Sequence, residues 1–140
     1  MPDPFSLSGK IVVQFGGTGL LGRALVHALA AAGATTIVAS RNRTALDALA
    51  EQERVANHNV LIEEVDIGSE ASLHALRDRL LAQHGRVDGI VFNAVARTMK
   101  GYGDKLASWE ASMSTNATGF FSTVRTFGDA MATQKSGSIV

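Results

Sequence analysis

The chain contains no cysteine, which excludes disulfides, a thiol nucleophile and any cysteine-ligated metal. Neither sign of charge is in excess: 13 Lys and Arg offset 13 Asp and Glu. No net field therefore draws nucleic acid or an anionic membrane surface. Long hydrophobic runs are missing as well. No window reaches the ~20 apolar residues of a membrane span, and residues 1–8 have neither the basic start nor the apolar core of an export signal. The cytoplasm is the expected compartment. There is no repeat, low-complexity tract or linker, because Gly, Ser and Thr are scattered as punctuation. The four histidines, His27, His58, His74 and His84, lack a metal-ligand spacing such as H-x-x-x-H, so packing or surface roles are expected and no metal site. Asp78 and Asp104 have no carboxylate partner for glycosidase-type chemistry.

What is present is enough for one domain with a real core, at 140 residues and 46% hydrophobic content. The most informative stretch is Gln14-Phe15-Gly16-Gly17-Thr18-Gly19-Leu20-Leu21-Gly22-Arg23. It follows an apolar run and leads into a segment with helical periodicity. Gly17, Gly19 and Gly22 satisfy G-x-G-x-x-G, and Gly16, Gly19 and Gly22 satisfy G-x-x-G-x-x-G. Strand, glycine turn and helix make a phosphate site, since the helix start offers unpaired N–H groups and partial positive charge. A Cβ in the turn would hold a diphosphate off. With 14 glycines in the chain, a turn made tight for packing reasons fits the bare motif equally well.

The elements alternate. Lys10–Phe15 reads as a strand, Leu20–Ala32 as a helix closed by Gly33, the β-branched Thr35–Ser40 as a strand and Thr44–Val55 as an amphipathic helix. Asn59–Val65 is a third strand. Ser69 caps a helix with Leu73, Leu76, Leu80 and Leu81 on its buried stripe and Gly85 at its end. Val87–Asn93 is a fourth strand, Leu106–Thr133 one long helix, and Gly137–Val140 begins a fifth strand. Such alternation predicts an α/β fold: a doubly wound parallel sheet in three layers, with about five strands and the sheet incomplete. Ligands are then expected past the carboxyl ends of the strands, where the winding reverses between strands one and four.

At the end of strand two, roughly 20 residues past the glycines, an NAD-binding chain usually carries Asp or Glu for the adenosine ribose. Here the residues are Ser40-Arg41-Asn42-Arg43. A carboxylate would repel a 2′-phosphate, whereas Arg41 or Arg43 can pair with one. NADP(H) is therefore the expected cofactor, with NAD(H) possible. The other reading is a solvated Arg-Asn-Arg turn at a helix start. The missing acid also counts against an S-adenosylmethionine methyltransferase.

The glycine turn, Ala39-Ser40-Arg41-Asn42, Val65-Asp66-Ile67, Val87-Asp88-Gly89-Ile90-Val91-Phe92-Asn93-Ala94, the long helix with Asn116, and Ser136-Gly137-Ser138-Ile139-Val140 stand in the order of a short-chain dehydrogenase/reductase, which the chain resembles over nearly its whole length. The resemblance implies a Rossmann fold and hydride transfer between a nicotinamide and a small carbonyl or alcohol substrate. It implies a diphosphate held by Gly16, Gly17, Thr18, Gly19, Leu20, Leu21 and Gly22, with Ser40, Arg41, Asn42 and Arg43 at the 2′-phosphate. Asp66 and Ile67 would flank adenine, and Asn93, Ala94 and Val95 would approach the ribose. Asn116 would support a proton-relay water, and the long helix would pair copies into a homo-oligomer. Read alone, Asp66 serves equally as a turn former before Gly68, and Asn116 as a helix polar group bonded to backbone.

The chain departs from the family pattern in several places. Phe15 stands in a glycine turn of the extended spacing, Phe92 replaces the first asparagine of the Asn-Asn-Ala-Gly turn, and Val95 replaces its glycine. Phe15 and Phe92 end strands that should be adjacent, so an aromatic contact is expected in place of a polar bridge. The family's Tyr-x-x-x-Lys pair and serine have no match: Lys105 lies one residue short of the spacing from Tyr102, and Ser136 and Ser138 come too early. Tyr102, Lys100 and Lys105 read as rim-loop residues. Residues 1–140 are thus expected to be the NAD(P)-binding part of a longer enzyme, cut within strand five and inactive alone. Phe120, Phe121, Val124, Phe127 and Met131 would then include a bare apolar surface. A non-catalytic dinucleotide-binding module and an extended sugar-nucleotide epimerase or dehydratase are the alternatives.

Overall fold

The computed structural model describes residues 3–140; Met1 and Pro2, part of the segment read above as lacking an export signal, lie outside them. The elements in order are β1 (Ile11–Phe15), α1 (Leu20–Ala31), β2 (Thr35–Ser40), α2 (Arg43–Val55), β3 (Val60–Glu64), α3 (Glu70–His84), β4 (Gly89–Phe92), α4 (Leu106–Met113), a wide π turn (Ser114–Gly119), α5 (Phe120–Gln134) and β5 (Ser138–Ile139). The sheet order is β3-β2-β1-β4-β5, with every neighbouring pair parallel. The winding therefore reverses between β1 and β4, as the alternation of elements predicts.

Period-two side-chain alternation sends the strands' apolar residues to both faces. Val13, Phe15, Ile37, Ala39 and Ile90 meet Leu73, Leu76 and Leu80 of α3 and Phe127 and Met131 of α5. On the other face Val38 packs with Val26 of α1 and with Leu46 and Leu49 of α2. Gln14 is fully buried, and its Nε2 donates to the Gly22 carbonyl at 3.0 Å, pinning the start of α1 to β1. Among the described residues no helix is long and apolar enough to cross a membrane.

Helix signals are met where the chain supplies them. Asn42 Oδ1 accepts from the Ala45 N–H at 3.0 Å to cap α2. Ser69 Oγ accepts from the Ser72 N–H at 3.2 Å to cap α3, which ends at Gly85 with φ 74°. One expectation needs correction: the segment read as one helix over Leu106–Thr133 is interrupted by the π turn. Of the five residues expected to include a bare apolar surface, Phe120 and Phe121 are exposed, whereas Phe127 and Met131 belong to the core. The aromatic contact exists and is larger than expected. Phe15 and Phe92 ring centroids lie 6.0 Å apart, Phe127 meets Phe15 edge-on at 6.0 Å, and Phe120 meets Phe92 at 5.2 Å.

Asp88 ties the entry of β4 to that of β1. Its Oδ2 accepts from the Ile11 N–H at 2.9 Å, Lys10 Nζ lies 3.8 Å away, and the Arg86 guanidinium bonds it too. Burial alone would raise its pKa, but the Ile11 N–H, Arg86 and Lys10 together outweigh burial and hold the carboxyl below its ordinary value. A carboxylate with a depressed folded-state pKa contributes stability above the unfolded value of about 3.9, and that contribution is lost as pH falls through the folded value. Asp88→Asn is therefore expected to destabilise by about 1 kcal/mol at neutral pH. Urea denaturation over a pH series should show the gap closing below about pH 4.

Candidate functional site

A crevice of about 890 Å³ lies over the β1/β4 divide, lined by Phe15, Gly16, Thr18, Gly19, Leu20, Leu21, Ala39, Ser40, Arg41, Val65 to Gly68, Asn93 to Arg97, Ser114 and Thr115. Every one of the strand ends β1 to β4 contributes to it, which is what an open parallel sheet provides at its switch point. Helix α1 points its start into this space. Unlike α2 and α3, α1 has no side-chain cap, since its N-cap residue is Gly19. Its first N–H groups are left for a ligand.

The four glycines of the turn divide by what a Cβ would strike. At Gly16, with φ +77°, it would lie 2.6 Å from Ala94 N, at Gly17 2.5 Å from Val38 Cγ1, and at Gly22 2.2 Å from the Gly16 carbonyl oxygen. Those three are glycine because the turn packs against α1, β2 and the end of β4. Gly19 has nothing within 4 Å and faces the crevice. Gly19 is thus the one of the four at which an added Cβ would meet open space rather than protein. Gly17 and Gly22 sit beneath the turn and do not line the crevice.

At the end of β2, Ser40 and Arg41 line the crevice. Arg43 does not; its Nε donates to Asp47 at 3.0 Å, one turn along α2. Asn42 is occupied as the α2 cap. Of the residues read at the 2′-phosphate, Ser40 and Arg41 thus line the crevice, while Asn42 and Arg43 are engaged in local bonds. Arg41 has no ion pair among the described residues. Asp66 lines the crevice while its Oδ1 accepts from the Gly68 N–H at 2.9 Å, so the turn-forming role is present and does not withdraw the residue from the site. Ile67 lies beside it and against Gly119 of the π turn.

Asn93 follows β4, donates from its backbone to the Phe15 carbonyl at 2.9 Å, and reaches Gly16 O with Nδ2 at 3.4 Å. Ala94 is partly buried and Val95 is exposed on the lip. Asn116, in the π turn, pairs with both polar groups of one residue. Its Oδ1 accepts from the Ala96 N–H at 2.8 Å and its Nδ2 donates to the Ala96 carbonyl at 3.0 Å. Its side-chain amide is therefore spent on fixing the loop after β4, the backbone-bonded role that the residue alone suggests. Asn116→Ala is expected to speed amide hydrogen exchange at Ala96 while costing about 1 kcal/mol of global stability.

Sequence reasoning missed Arg97, Ser114 and Thr115, which also line the crevice. Arg97 lies two residues beyond Val95, the last residue named above after strand four, and the π turn that carries Ser114 and Thr115 leaves no periodic signal. Tyr102 is fully exposed and outside the lining. His27 and His58, for which packing or surface roles were expected, meet at Glu53.

A parallel sheet wound both ways from a glycine turn, with an uncapped helix aimed into the crevice at the reversal, defines a Rossmann-type α/β protein. The family profile described as short chain dehydrogenase matches residues 10–140, and the chain belongs to that family. It is similar to the D-threitol dehydrogenase of Mycolicibacterium smegmatis, at 30% identity over 97% of this chain and 53% of that protein. It is also similar to the fluoren-9-ol dehydrogenase of Terrabacter sp., at 29% identity over 96% of this chain and 40% of that protein. Among solved structures it matches a gluconate 5-dehydrogenase from Burkholderia cenocepacia, in complex with NADP and tartrate. The TM-score is 0.87 at 27% identity, covering 98% of this chain and 54% of that one. The chain spans about half the length of the first of these relatives.

Proposed function

We propose that the whole protein is an NADP(H)-dependent oxidoreductase that moves a hydride between the nicotinamide and a small carbonyl or alcohol substrate, with residues 1–140 supplying the cofactor-binding part. The observation that carries the cofactor preference is Arg41 on the crevice lip, free of ion pairs among the described residues, where no carboxylate follows β2. The gluconate dehydrogenase solved with NADP supports the same reading. Gly19 and the N–H groups of Leu20 and Leu21 take the diphosphate, with Gly16, Gly17, Thr18 and Gly22 shaping the turn. Ser40 and Arg41 take the 2′-phosphate. Asp66 and Ile67 flank adenine, Asn93 to Val95 border the ribose, and Asn116 holds that border in place through Ala96. When bound, the nicotinamide supplies or accepts the hydride. Two copies associate along α4 and α5, where Leu106, Trp109, Met113, Phe120 and Phe121 are exposed.

The test is NADPH consumption by the full-length protein against a panel of ketones and aldehydes. Turnover is the expected result. Tight NADPH binding without turnover of any panel member would favour a non-catalytic nucleotide-binding module, and conversion without net NADPH consumption would favour an epimerase.

A further inference from the structure

Away from the crevice, three side chains that share no sequence motif converge on one point. Glu53 of α2 is only 1% exposed, yet it carries a carboxylate. Its Oε2 lies 2.6 Å from His58 Nδ1 and 3.3 Å from His27 Nδ1. The candidate ligand atoms of the three residues all fall within 4.8 Å of one another. The chain is bent to bring this about. Asn57 adopts φ 60°, and the His58 N–H donates back to the Glu53 carbonyl at 3.0 Å, folding the α2–β3 turn onto the helix it has just left. His27 reaches the same oxygen from α1, one residue past the buried Val26.

Packing alone explains one of these histidines. A buried carboxylate needs a donor, and His58 provides it at 2.6 Å. The second imidazole is poorly placed as a further donor, because 3.3 Å is long for an N–H on an ionised oxygen already bonded. It is well placed as a ligand. Metal–ligand bonds of about 2.0–2.2 Å in a tetrahedral site put the ligand atoms about 3.3–3.6 Å apart. The two rings meet edge to face, with centroids 4.8 Å apart and planes at 62°. His27, with its side chain 57% exposed, is free to swing toward the ion, and Glu53 Oε2 and His58 Nδ1, now hydrogen-bonded at 2.6 Å, would give up that proton and part to about 3.3 Å on binding it. The nearby cation is already engaged: Arg23, one turn before His27, donates to the Thr18 carbonyl at 3.1 Å and approaches Gln52 at 3.5 Å.

We infer that His27, Glu53 and His58 form a binding site for one first-row divalent cation, with Zn²⁺ the expected occupant, bracing α1 against the α2–β3 turn. Two imidazoles and one carboxylate suit zinc and disfavour Mg²⁺ and Ca²⁺, which take oxygen ligands. The ion would neutralise the buried carboxylate while tying the helix that opens the crevice to the connection leading into β3.

Isothermal titration of tag-free, EDTA-stripped full-length protein with zinc chloride tests this, with cobalt(II) absorption as the spectroscopic readout. The expected result is one zinc bound that His27→Ala and His58→Ala each weaken more than the about 10–100-fold that loss of a supporting partner costs, and tetrahedral-strength cobalt bands that vanish in both. Glu53→Gln, which keeps hydrogen-bonding capacity but removes the anionic ligand, is expected to lose zinc as well. His74→Ala and His84→Ala should leave binding unchanged. Saturating zinc is expected to raise the Tm of the unmodified protein by about 5 °C or more and that of His27→Ala by none. Because His27 is largely exposed, its alanine variant should fold. No zinc uptake, or uptake equal in the protein and in His27→Ala, would overturn the inference and leave the cluster a hydrogen-bonded packing contact.

Discussion

Gly22→Ala is expected to destabilise the protein by about 3 kcal/mol or more, although the position is helical and alanine there ordinarily stabilises by about 1 kcal/mol. Gly22 is the third residue of α1. Its Cβ would stand 2.2 Å from the Gly16 carbonyl oxygen and 2.9 Å from Gly17 Cα, both backbone atoms with no rotamer to relieve the clash. Its own carbonyl is held by Gln14 Nε2 at 3.0 Å, so the helix start cannot slide away without breaking a buried bond. Gly128→Ala in α5 is the internal control. A Cβ there meets nothing within 4 Å, and the change should stabilise by about 0.5–1 kcal/mol. Gly19→Ala separates packing from binding. Its Cβ also meets nothing within 4 Å, so stability should move by no more than about 1 kcal/mol, while NADPH affinity should fall at least ~10-fold. Urea denaturation of all three variants, with cofactor titration of the Gly19 variant, checks the set.

Arg41→Ala is expected to weaken NADPH binding about 10- to 150-fold, the equivalent of losing about 1.5–3 kcal/mol of charge-assisted hydrogen bonding, and to leave NADH binding nearly unchanged. Arg41→Asp should go further and invert the preference, because a carboxylate accepts hydrogen bonds from a free ribose and repels a 2′-phosphate. The effect should be concentrated at this residue. Arg43 is held by Asp47 at 3.0 Å, so Arg43→Ala should change NADPH affinity by less than about threefold. A loss in Arg43→Ala as large as in Arg41→Ala would mean that the Asp47 pair opens on binding.

The sheet was legible because its signals are local and repeated. Thr35–Ser40 is β-branched and apolar between helix-forming stretches, and the structure gives β2 those same bounds. Ser69 and Gly85 mark the ends of α3 by capping chemistry alone. The strand order follows from alternation and right-handed crossovers. What escaped the sequence is settled by neighbours far along the chain. Nothing in the glycine spacing says that Gly22 faces the Gly16 carbonyl and Gly19 faces open space. The π turn is supported from outside, by Asn116 on Ala96 and Ile67 against Gly119, so the helical stripe around it reads as continuous. Burial of Phe127 but not Phe121 depends on which face of α5 meets α3 and β1. The histidine pair is hidden for the same reason, since residues 27 and 58 meet only once α1 and α2 pack side by side. The Arg43–Asp47 pairing was available in the sequence as an i,i+4 spacing on a helix, and it leaves Arg41, of the two, without an ion pair among the described residues.

Calorimetric titration of the full-length protein with adenosine 2′,5′-bisphosphate and, separately, adenosine 5′-monophosphate isolates the adenosine end of the crevice from any hydride chemistry. The bisphosphate should bind at least ~10-fold more tightly, and that advantage should vanish in Arg41→Ala. Equal affinity for the two nucleotides, or tighter binding of the monophosphate, would contradict a crevice built around a 2′-phosphorylated dinucleotide.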